Sequence, residues 1–432
     1  MIKLPKNVSN VMKELSQKGY KAYVVGGCVR DSLIGETPLD WDLATDASLE
    51  VLKETFGNAK VISEKFSVVR LDFTEGEDDN ENPIIDIATF RIDGDYSDHR
   101  RPDSVTFTSS IEEDLKRRDF TINAMADNPE LGFVDPFAGK DDIAKKLIRT
   151  VGDPQVRFEE DPIRMLRAIR IAAEKNFDIQ KTTYEGILAK ANLLEECSVD
   201  RIREEFCRIL TAPNAGKGLR MLAGSDLMPH IIGEAAVKLN FRQRSQFSTL
   251  CDNIDRIQPV LLRRLCLFYS CLEDKKGEKA MKKLNFDSKT ELHIMDGLYR
   301  MEKLHFIKRD PELKAFLVEF GMDRYEQMDY LAKAQRIVFD TTEAKIMSRY
   351  YMLKRFRENG EPIFIEDLAI DGNDLIEAGI CEGEEIGKIL TMLTDVVHKK
   401  PADNNKETLL KFAKKFKKSK FAASTRRVKW LK

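Results

Sequence analysis

The chain has 432 residues, with 71 Lys and Arg against 73 Asp and Glu and 42% hydrophobic residues. At ~150 residues per domain that suggests about two to four domains, with enough apolar side chains to bury sizeable cores, which excludes an intrinsically disordered chain. No stretch reaches the ~18 consecutive apolar residues of a membrane span, and MIKLPKNVSN lacks the apolar run of a secretory signal, so membrane spanning and export are argued against and a cytoplasmic location is expected. Seven cysteines form no CxxC pair and five histidines no HxxxH cluster, which argues against a zinc module or a disulfide scaffold. The charge is uneven. Residues 406–432 carry 11 Lys and Arg and one Glu, a charge of +10, while residues 1–405 carry 60 against 72, or −12. A basic tail of this kind suits a polyanion partner.

In chain order, KAYVVGG (21–27) reads as a strand running into a glycine turn, and LDWDLAT (39–45) as a second strand. KVISEKFSVVRLDF (60–73) and PIIDIATF (83–90) read as further strands, with the acidic TEGEDDNEN between them as a solvated hairpin tip, and SVTF (104–107) adds a short one. From Asp161 the apolar spacing turns to three and four, with Ile163, Leu166 and Ile169 on one helix face. SVDRIREEFCRIL (198–210) is a helix with Ser198 placed as its N-cap. Helical periodicity continues over 216–355, and glycines 372, 379, 383 and 387 space short helices near the end.

Asp40 and Asp42 flank Trp41. On a strand, residues two apart share a face, so both carboxylates converge while Trp41 points the other way. Two hard oxygen ligands suit Mg²⁺ that keeps positions free for phosphates; read alone, the same pattern fits a solvated turn. Upstream, Gly26, Gly27 and Arg30 stand where a strand meets a helix, an arrangement in which backbone N–H groups form an anion nest beside a mobile positive charge. Arg117, Arg118, Asp119 and Asn123 combine donors and an acceptor fit for a ribose hydroxyl. In Glu160-Asp161-Pro162-Ile163-Arg164, Asp161 and Arg164 are three apart and would share a helix face, able to address one base edge or simply to pair with each other. Arg167 and Arg170 continue that basic stripe. RIDGDYSDHRRPDSV (91–105) is a polar, Gly-containing loop, and the segment 411–432 interleaves Phe412, Phe416, Phe421 and Trp430 with cations, among them Lys414, Lys415, Lys417, Lys418, Arg426 and Arg427.

GGCVRD (26–31) followed by DWDLAT (40–45) resembles the head of the class II tRNA nucleotidyltransferases, the CCA-adding enzymes and their relatives the bacterial poly(A) polymerases. DLKRRDFTINAMA (114–126), FVDPFAGKDDI (133–143), IRTVGDPQVRFEEDPIRMLRAIRIAA (148–173) and SVDRIREEF (198–206), with Arg201 and Glu205, are similar to that family's successive motifs in order. The resemblance is dense over 20–210, extends to a tail-like segment at 370–390 and is loose over 215–355.

It implies an α+β fold: a polymerase-β-like nucleotidyltransferase palm of mixed sheet and helices (1–148), then an all-helical neck (149–213), body (214–325) and tail (326–432). It implies addition of CCA to the tRNA 3′ end from CTP and ATP, with two Mg²⁺ ions, release of pyrophosphate and no obligate protein partner. Asp40 and Asp42 would hold the metals, with Asp86 either a third catalytic carboxylate or a strand-face residue. Gly26, Gly27 and Arg30 would take the triphosphate; Arg118, Asp119 and Asn123 the ribose; Asp161 and Arg164 the base. Arg117, Glu160, Arg167 and Arg170 would support them, and the Lys and Arg of the tail would bind RNA. The alternatives are an A-adding enzyme that finishes a CC end, a poly(A) polymerase, against which ISEKFSVVRLDF in place of a GRRF-like segment argues, and a non-catalytic RNA-binding protein, against which the intact Asp40 and Asp42 argue.

Overall fold

A computed structural model of the chain describes residues 2–38, 40–73, 84–233, 238–272, 274–340 and 344–418. They fall into two compact units, Met1–Asp287 and Ser288–Lys432.

The first unit opens with α1 (Lys6–Gln17), β1 (Ala22–Val25), α2 (Gly27–Leu33), β2 (Asp40–Thr45), α3 (Leu49–Thr55), β3 (Lys60–Ser63), β4 (Val68–Asp72) and β5 (Ile84–Thr89). A two-stranded ribbon, β6 (Arg91–Asp93) and β7 (Val105–Phe107), precedes α4 (Ile111–Lys116), a 3₁₀ turn Thr121–Asn123, β8 (Ala126–Asn128), β9 (Gly132–Val134) and α5 (Gly139–Ala144). Seven strands form one mixed sheet in the order β3-β4-β5-β2-β1-β8-β9, with β2 and β5 parallel and the other neighbours antiparallel. Alternation along β2 sets the sheet's two sides. Trp41 and Leu43 go down into a core with Val24, Leu71, Ile85 and Ile87, covered by α1 and α3, and Asp40 and Asp42 are left on the opposite side. Residues 60–73 make a hairpin, not one continuous strand: Ser67, at φ 50°, turns the chain back and its N–H donates to Glu64 O at 3.1 Å. The acidic tip 74–82 lies outside the described residues.

The helical part of this unit begins at a parallel pair, β10 (Leu147–Ile148) with β11 (Asp178–Ile179), and includes α6 (Pro154–Glu160), α7 (Ile163–Lys175), α8 (Lys181–Lys190) and α9 (Val199–Thr211). Ile163, Leu166 and Ile169 are buried along α7, as their spacing requires. Asp161 is not on that helix: it is the residue after α6, extended at φ −151°, ψ 98°. Pro162 is the cause, since a proline ring pushes the preceding residue out of the α region. The expectation that Asp161 and Arg164 share a face of one helix is therefore corrected; a helix break separates them. Ser198 does sit at the N-cap of α9, but its side chain makes no capping hydrogen bond. Arg264, buried in helix Leu261–Ser270, closes the C-terminal end of α9 by donating to the carbonyls of Leu210 and Ala212, both at 2.8 Å.

Among its described residues the second unit contains helices and no strand. Leu375, Ile389, Leu393, Val397, Leu409 and Ala413 build one of its cores. Gly379 and Gly383, at φ 63° and 61°, supply the left-handed turns between the helices Gly372–Glu377 and Glu384–Lys399. Helix Lys406–Lys418 packs Phe412 and Phe416 against that core and exposes Lys414, Lys415, Lys417 and Lys418. Phe421, Arg426, Arg427 and Trp430 lie outside the described residues. No described helix is long and apolar enough to cross a membrane.

Candidate active site

An open cleft of about 640 Å³ lies over the sheet between the β1–α2 turn, β2, the β6–β7 ribbon, α4 and the helices α7 and α9. It is lined by Gly26, Gly27, Arg30, Asp40, Asp42, Arg117, Arg118, Asp119, Asn123, Asp161, Arg164, Arg167 and Arg170, so the residues expected to handle metal and nucleotide meet there, apart from Asp86 and Glu160. Glu160 stands just behind Arg164, and Asp86 is not part of the lining.

Gly26 is needed for two reasons. Its φ of 80° is a left-handed conformation, and a Cβ there would lie 3.0 Å from Arg118 Nη1 and 3.6 Å from Asp42 Oδ2. The next residue, Gly27, begins α2. Arg30 is not the mobile charge the sequence suggested. It is buried, donates from Nη1 to Asn123 Oδ1 at 2.6 Å and from Nε to Asp31 Oδ1 at 2.8 Å, and Asp31 is also held by Lys175 at 2.9 Å. A guanidinium this far from water needs fixed partners. Cys28, between the glycine turn and Arg30, donates its thiol to Val25 O, and burial pushes the thiol up to about 12, which makes it an inert core residue.

Asp119 is the anchor of the far wall. Its Oδ1 accepts from Asn123 Nδ2 at 3.0 Å and from the Phe120 N–H at 2.8 Å, and its Oδ2 from Arg167 Nε at 3.0 Å and Nη2 at 2.8 Å. Burial works to raise this carboxyl, but Arg167, the Asn123 amide and Arg164 outweigh it and hold it well below the usual carboxylate range. Its four lone-pair directions are in use, so a ribose hydroxyl that bonds to Asp119 must take the place of one of these donors.

At the helix break, Asp161 accepts a bidentate pair from Arg201, Nη1 to Oδ1 at 3.1 Å and Nη2 to Oδ2 at 2.7 Å. One oxygen meets the Ile163 N–H only at 3.4 Å, so acceptor capacity is left facing the cleft. Arg164 is fixed by Glu160 Oε2 at 2.5 Å and by the Arg157 carbonyl at 3.1 Å. Asp161 and Arg164 do not pair with each other; each is oriented by a different partner, which leaves both edges available. Arg170 is clamped between Glu205 at 2.6 Å and Glu174 at 2.7 Å.

Of the six carboxylates lining the cleft, Asp31, Asp93, Asp119 and Asp161 are bound by cations. Asp40 and Asp42 accept no side-chain hydrogen bond and form no ion pair among the described residues. Asp42 is reached by solvent, yet it sits at the floor of the cleft. Burial there raises its carboxyl above the usual range, against the pull of Arg118 and with the repulsion of Asp86 and Asp40. Asp86 pairs in register with Asp42 across β2–β5, but Arg70 grips both its oxygens, at 2.7 and 2.8 Å. No three His, Cys, Asp or Glu side chains gather as a metal site among the described residues; the dyad supplies two. Unpaired, mutually repelling hard oxygens at the base of a cationic cleft fit a divalent ion.

Arg201 and Glu205 stand in a motif the sequence made visible, but their partners, about 40 positions away, were not. Asp114, Asp93 and Tyr96 were missed as organisers. The Asp93 carboxylate accepts from Arg91 Nε at 2.9 Å and from the Tyr96 hydroxyl at 2.7 Å, which ties the β6–β7 ribbon together beside the cleft.

Comparison with known proteins fits this geometry. The family model of the "Poly A polymerase head domain" matches residues 22–149, that of the "Probable RNA and SrmB- binding site of polymerase A" matches 176–239, and that of tRNA nucleotidyltransferase domain 2 matches 264–413. The CCA-adding enzyme of Limosilactobacillus fermentum is 32% identical over 409 residues, 93% of this chain and 95% of that protein. The chain belongs to the family of the CCA-adding enzymes and poly(A) polymerases. The CCA-adding enzyme of Geobacillus thermodenitrificans is 41% identical over 225 residues, a match that spans 52% of this chain and 54% of that relative's length. The crystal structure of the Bacillus stearothermophilus CCA-adding enzyme in complex with CTP superposes with a TM-score of 0.75 at 28% identity, covering 95% of this chain and 98% of that one. Nucleotidyltransferases of this family depend on a divalent metal ion.

A carboxyl whose folded-state pKa lies above its unfolded value binds protons more readily when folded, so its ionised form costs stability as pH rises through that range. Asp42→Asn is therefore expected to melt higher than the parent protein at pH 7 in metal-free buffer, with the gap closing as pH falls through the carboxylate range. Nucleotide transfer should drop by about 10³-fold, several kcal/mol of lost charge stabilisation. Added Mg²⁺ should raise the parent's melting temperature and leave the variant's nearly unchanged; a variant that still transfers nucleotide and still responds to Mg²⁺ would remove Asp42 from the metal site.

Proposed function

We propose that the chain adds C, C and A to the 3′ end of tRNA from CTP and ATP, releasing pyrophosphate, without a nucleic-acid template. The observation that carries this reading is that one cleft joins an unpaired Asp40–Asp42 dyad to a separately oriented acceptor, Asp161, and donor, Arg164. The first is what phosphoryl chemistry needs, and the second is a base-reading edge made of protein.

In this reading Asp40 and Asp42 hold the divalent ions, assigned here as two Mg²⁺, which when bound lower the pKa of the primer 3′-hydroxyl and neutralise charge on the α-phosphate. Asp86, committed to Arg70, acts on the dyad through its charge rather than as a ligand. The turn at Gly26 and Gly27, with the Gly27 N–H at the start of α2, and the fixed guanidinium of Arg30 take the triphosphate, while the Gly26 N–H donates to Met125 O at 3.4 Å. Arg118, Asp119 and Asn123 meet the ribose, with Arg117 and Arg167 behind them. Asp161 accepts from the amino group that C and A share, where U and G present a carbonyl, and Arg164, held by Glu160, donates to ring acceptors. Arg170, locked by Glu205 and Glu174, keeps α7 and α9 in register.

Head (1–148), neck (149–213), body (214–325) and tail (326–432) would then divide the work between chemistry and tRNA. Exposed Lys414, Lys415, Lys417 and Lys418 contact phosphates, with Arg426 and Arg427 beyond the described residues adding to them. A cytoplasmic location goes with this reading.

A site that hydrogen-bonds one base edge rejects the wrong edge by up to about 10⁴-fold, because buried groups are otherwise left unpaired. Asp161→Ala is expected to raise UTP or GTP incorporation relative to CTP and ATP while total activity falls. Arg164→Ala should depress both correct nucleotides. Competition assays with all four nucleotides check this, and an unchanged preference in Asp161→Ala would reduce Asp161 to a salt-bridge partner of Arg201.

Replacing the four tail lysines together by Ala should weaken tRNA binding and flatten its salt dependence by about 0.7 in log–log slope for each single-strand phosphate no longer neutralised. Because these lysines are exposed while Phe412 and Phe416 hold the helix in place, the fold should survive. An unchanged slope would assign RNA binding elsewhere.

A further inference from the structure

We infer that Asp114 is a positioning residue for nucleotide recognition: a buried carboxylate that holds the guanidinium groups of Arg117 and Arg118 in place at the edge of the cleft. The inference rests on the reading above, in which Arg118 donates to the ribose.

Asp114 is 0% exposed and closes the acidic first turn of α4, after Glu112 and Glu113. Its Oδ1 accepts from Arg117 Nε at 3.0 Å and Nη2 at 2.7 Å and from the Arg91 backbone N–H at 3.3 Å, and its Oδ2 accepts from Arg118 Nη2 at 3.2 Å. An acid in the first turn of a helix suits the helix dipole, but an exposed one would serve as well, and a carboxylate cut off from water is costly unless paired. The two adjacent arginines are what account for its burial. Burial works to raise the Asp114 carboxyl, and Arg117 and Arg118 overcome it and keep the group ionised.

For the Arg118 side chain this is the one hydrogen bond made among the described residues; its Nε is buried without an acceptor. Its Nη1 lies where a Cβ on Gly26 would come within 3.0 Å, next to Asp42. Asp114 thus fixes a cation that lies against both the glycine turn and the surroundings of the dyad. On the other side, the carbonyl of Arg117 receives Arg164 Nη2 at 3.5 Å, so the backbone that Asp114 steadies also borders the base-reading arginine.

The test uses the full chain, tRNA ending in CC, and ATP against 2′-deoxy-ATP. Asp114→Asn keeps the size of the side chain but turns one acceptor into an N–H that cannot face a guanidinium. The expected result is a rise of about tenfold in KM for ATP with a smaller fall in kcat, and a loss of about tenfold in the ratio of kcat/KM for ATP over 2′-deoxy-ATP, the scale of one charge-assisted hydrogen bond. Arg118→Ala should lose the same selectivity, and the double variant should lose no more than Arg118→Ala alone, because both changes remove one interaction. If Arg118→Ala loses ribose selectivity and Asp114→Asn keeps it, the positioning role is overturned while the ribose reading stands. If Arg118→Ala keeps its selectivity, the ribose reading fails and the inference falls with it. If Asp114→Asn merely loosens the fold, it will cut selectivity further in the Arg118→Ala background, and that outcome also overturns the inference.

Discussion

The structure around the cleft is organised by unbalanced negative charge. Asp40 and Asp42, two apart on β2, stand about 7 Å from each other along the strand, and at an effective dielectric of ~20 two such charges repel by about 2 kcal/mol, less where the cleft opens to solvent. Neither has a cationic partner among the described residues, although arginines crowd the same cleft. Most of those arginines are committed: Arg167 to Asp119, Arg30 to Asp31 and Asn123, Arg117 and Arg118 to Asp114, Arg170 to Glu174 and Glu205. A cleft that quenched its dyad internally would have no use for a metal; one that left all its arginines loose would collapse onto it. Pairing every other carboxylate keeps the wall cationic and fixed while the floor stays anionic and open.

The same economy explains the helix break. Had α6 and α7 been continuous, Asp161 and Arg164 would have faced each other within one turn and satisfied each other. Pro162 takes Asp161 off the helix, where Arg201 of α9 captures it, and Glu160 takes Arg164 from the preceding turn. A base edge presented between them then meets an acceptor and a donor whose directions are already set, and the ordering cost of arranging them has been met in folding.

Much of this was legible in the chain. Runs of Val and Ile announced β1 and β5, and in β2 the Asp-Trp-Asp alternation placed two acids on one face with Trp41 in the core, where it is 3% exposed. The glycine at 26 marked a left-handed turn, and the spacing of α7 gave its buried face. What was not legible is what depends on distant pairing. That Asp86 belongs to Arg70 follows from the register of β4 on β5, which required the turn at Ser67. That Arg30 is rigid follows from Asn123, 93 positions away. The Asp161–Arg201 and Asp119–Arg167 pairs join separate elements, so periodicity within one element carries no trace of them. The break at Asp161 did have a local signal, the Asp-Pro dipeptide, which outweighs the i to i+3 spacing.

If protein side chains set the sequence that is added, the length of the primer must decide which nucleotide is taken and when addition stops. The most direct measurement supplies tRNA ending in no C, one C or two Cs, with CTP and ATP together, and sequences the products. The account predicts that all three substrates converge on a single CCA end with nothing beyond it. Extension of only the CC-ended substrate, or an open-ended run of A on any of them, would contradict it.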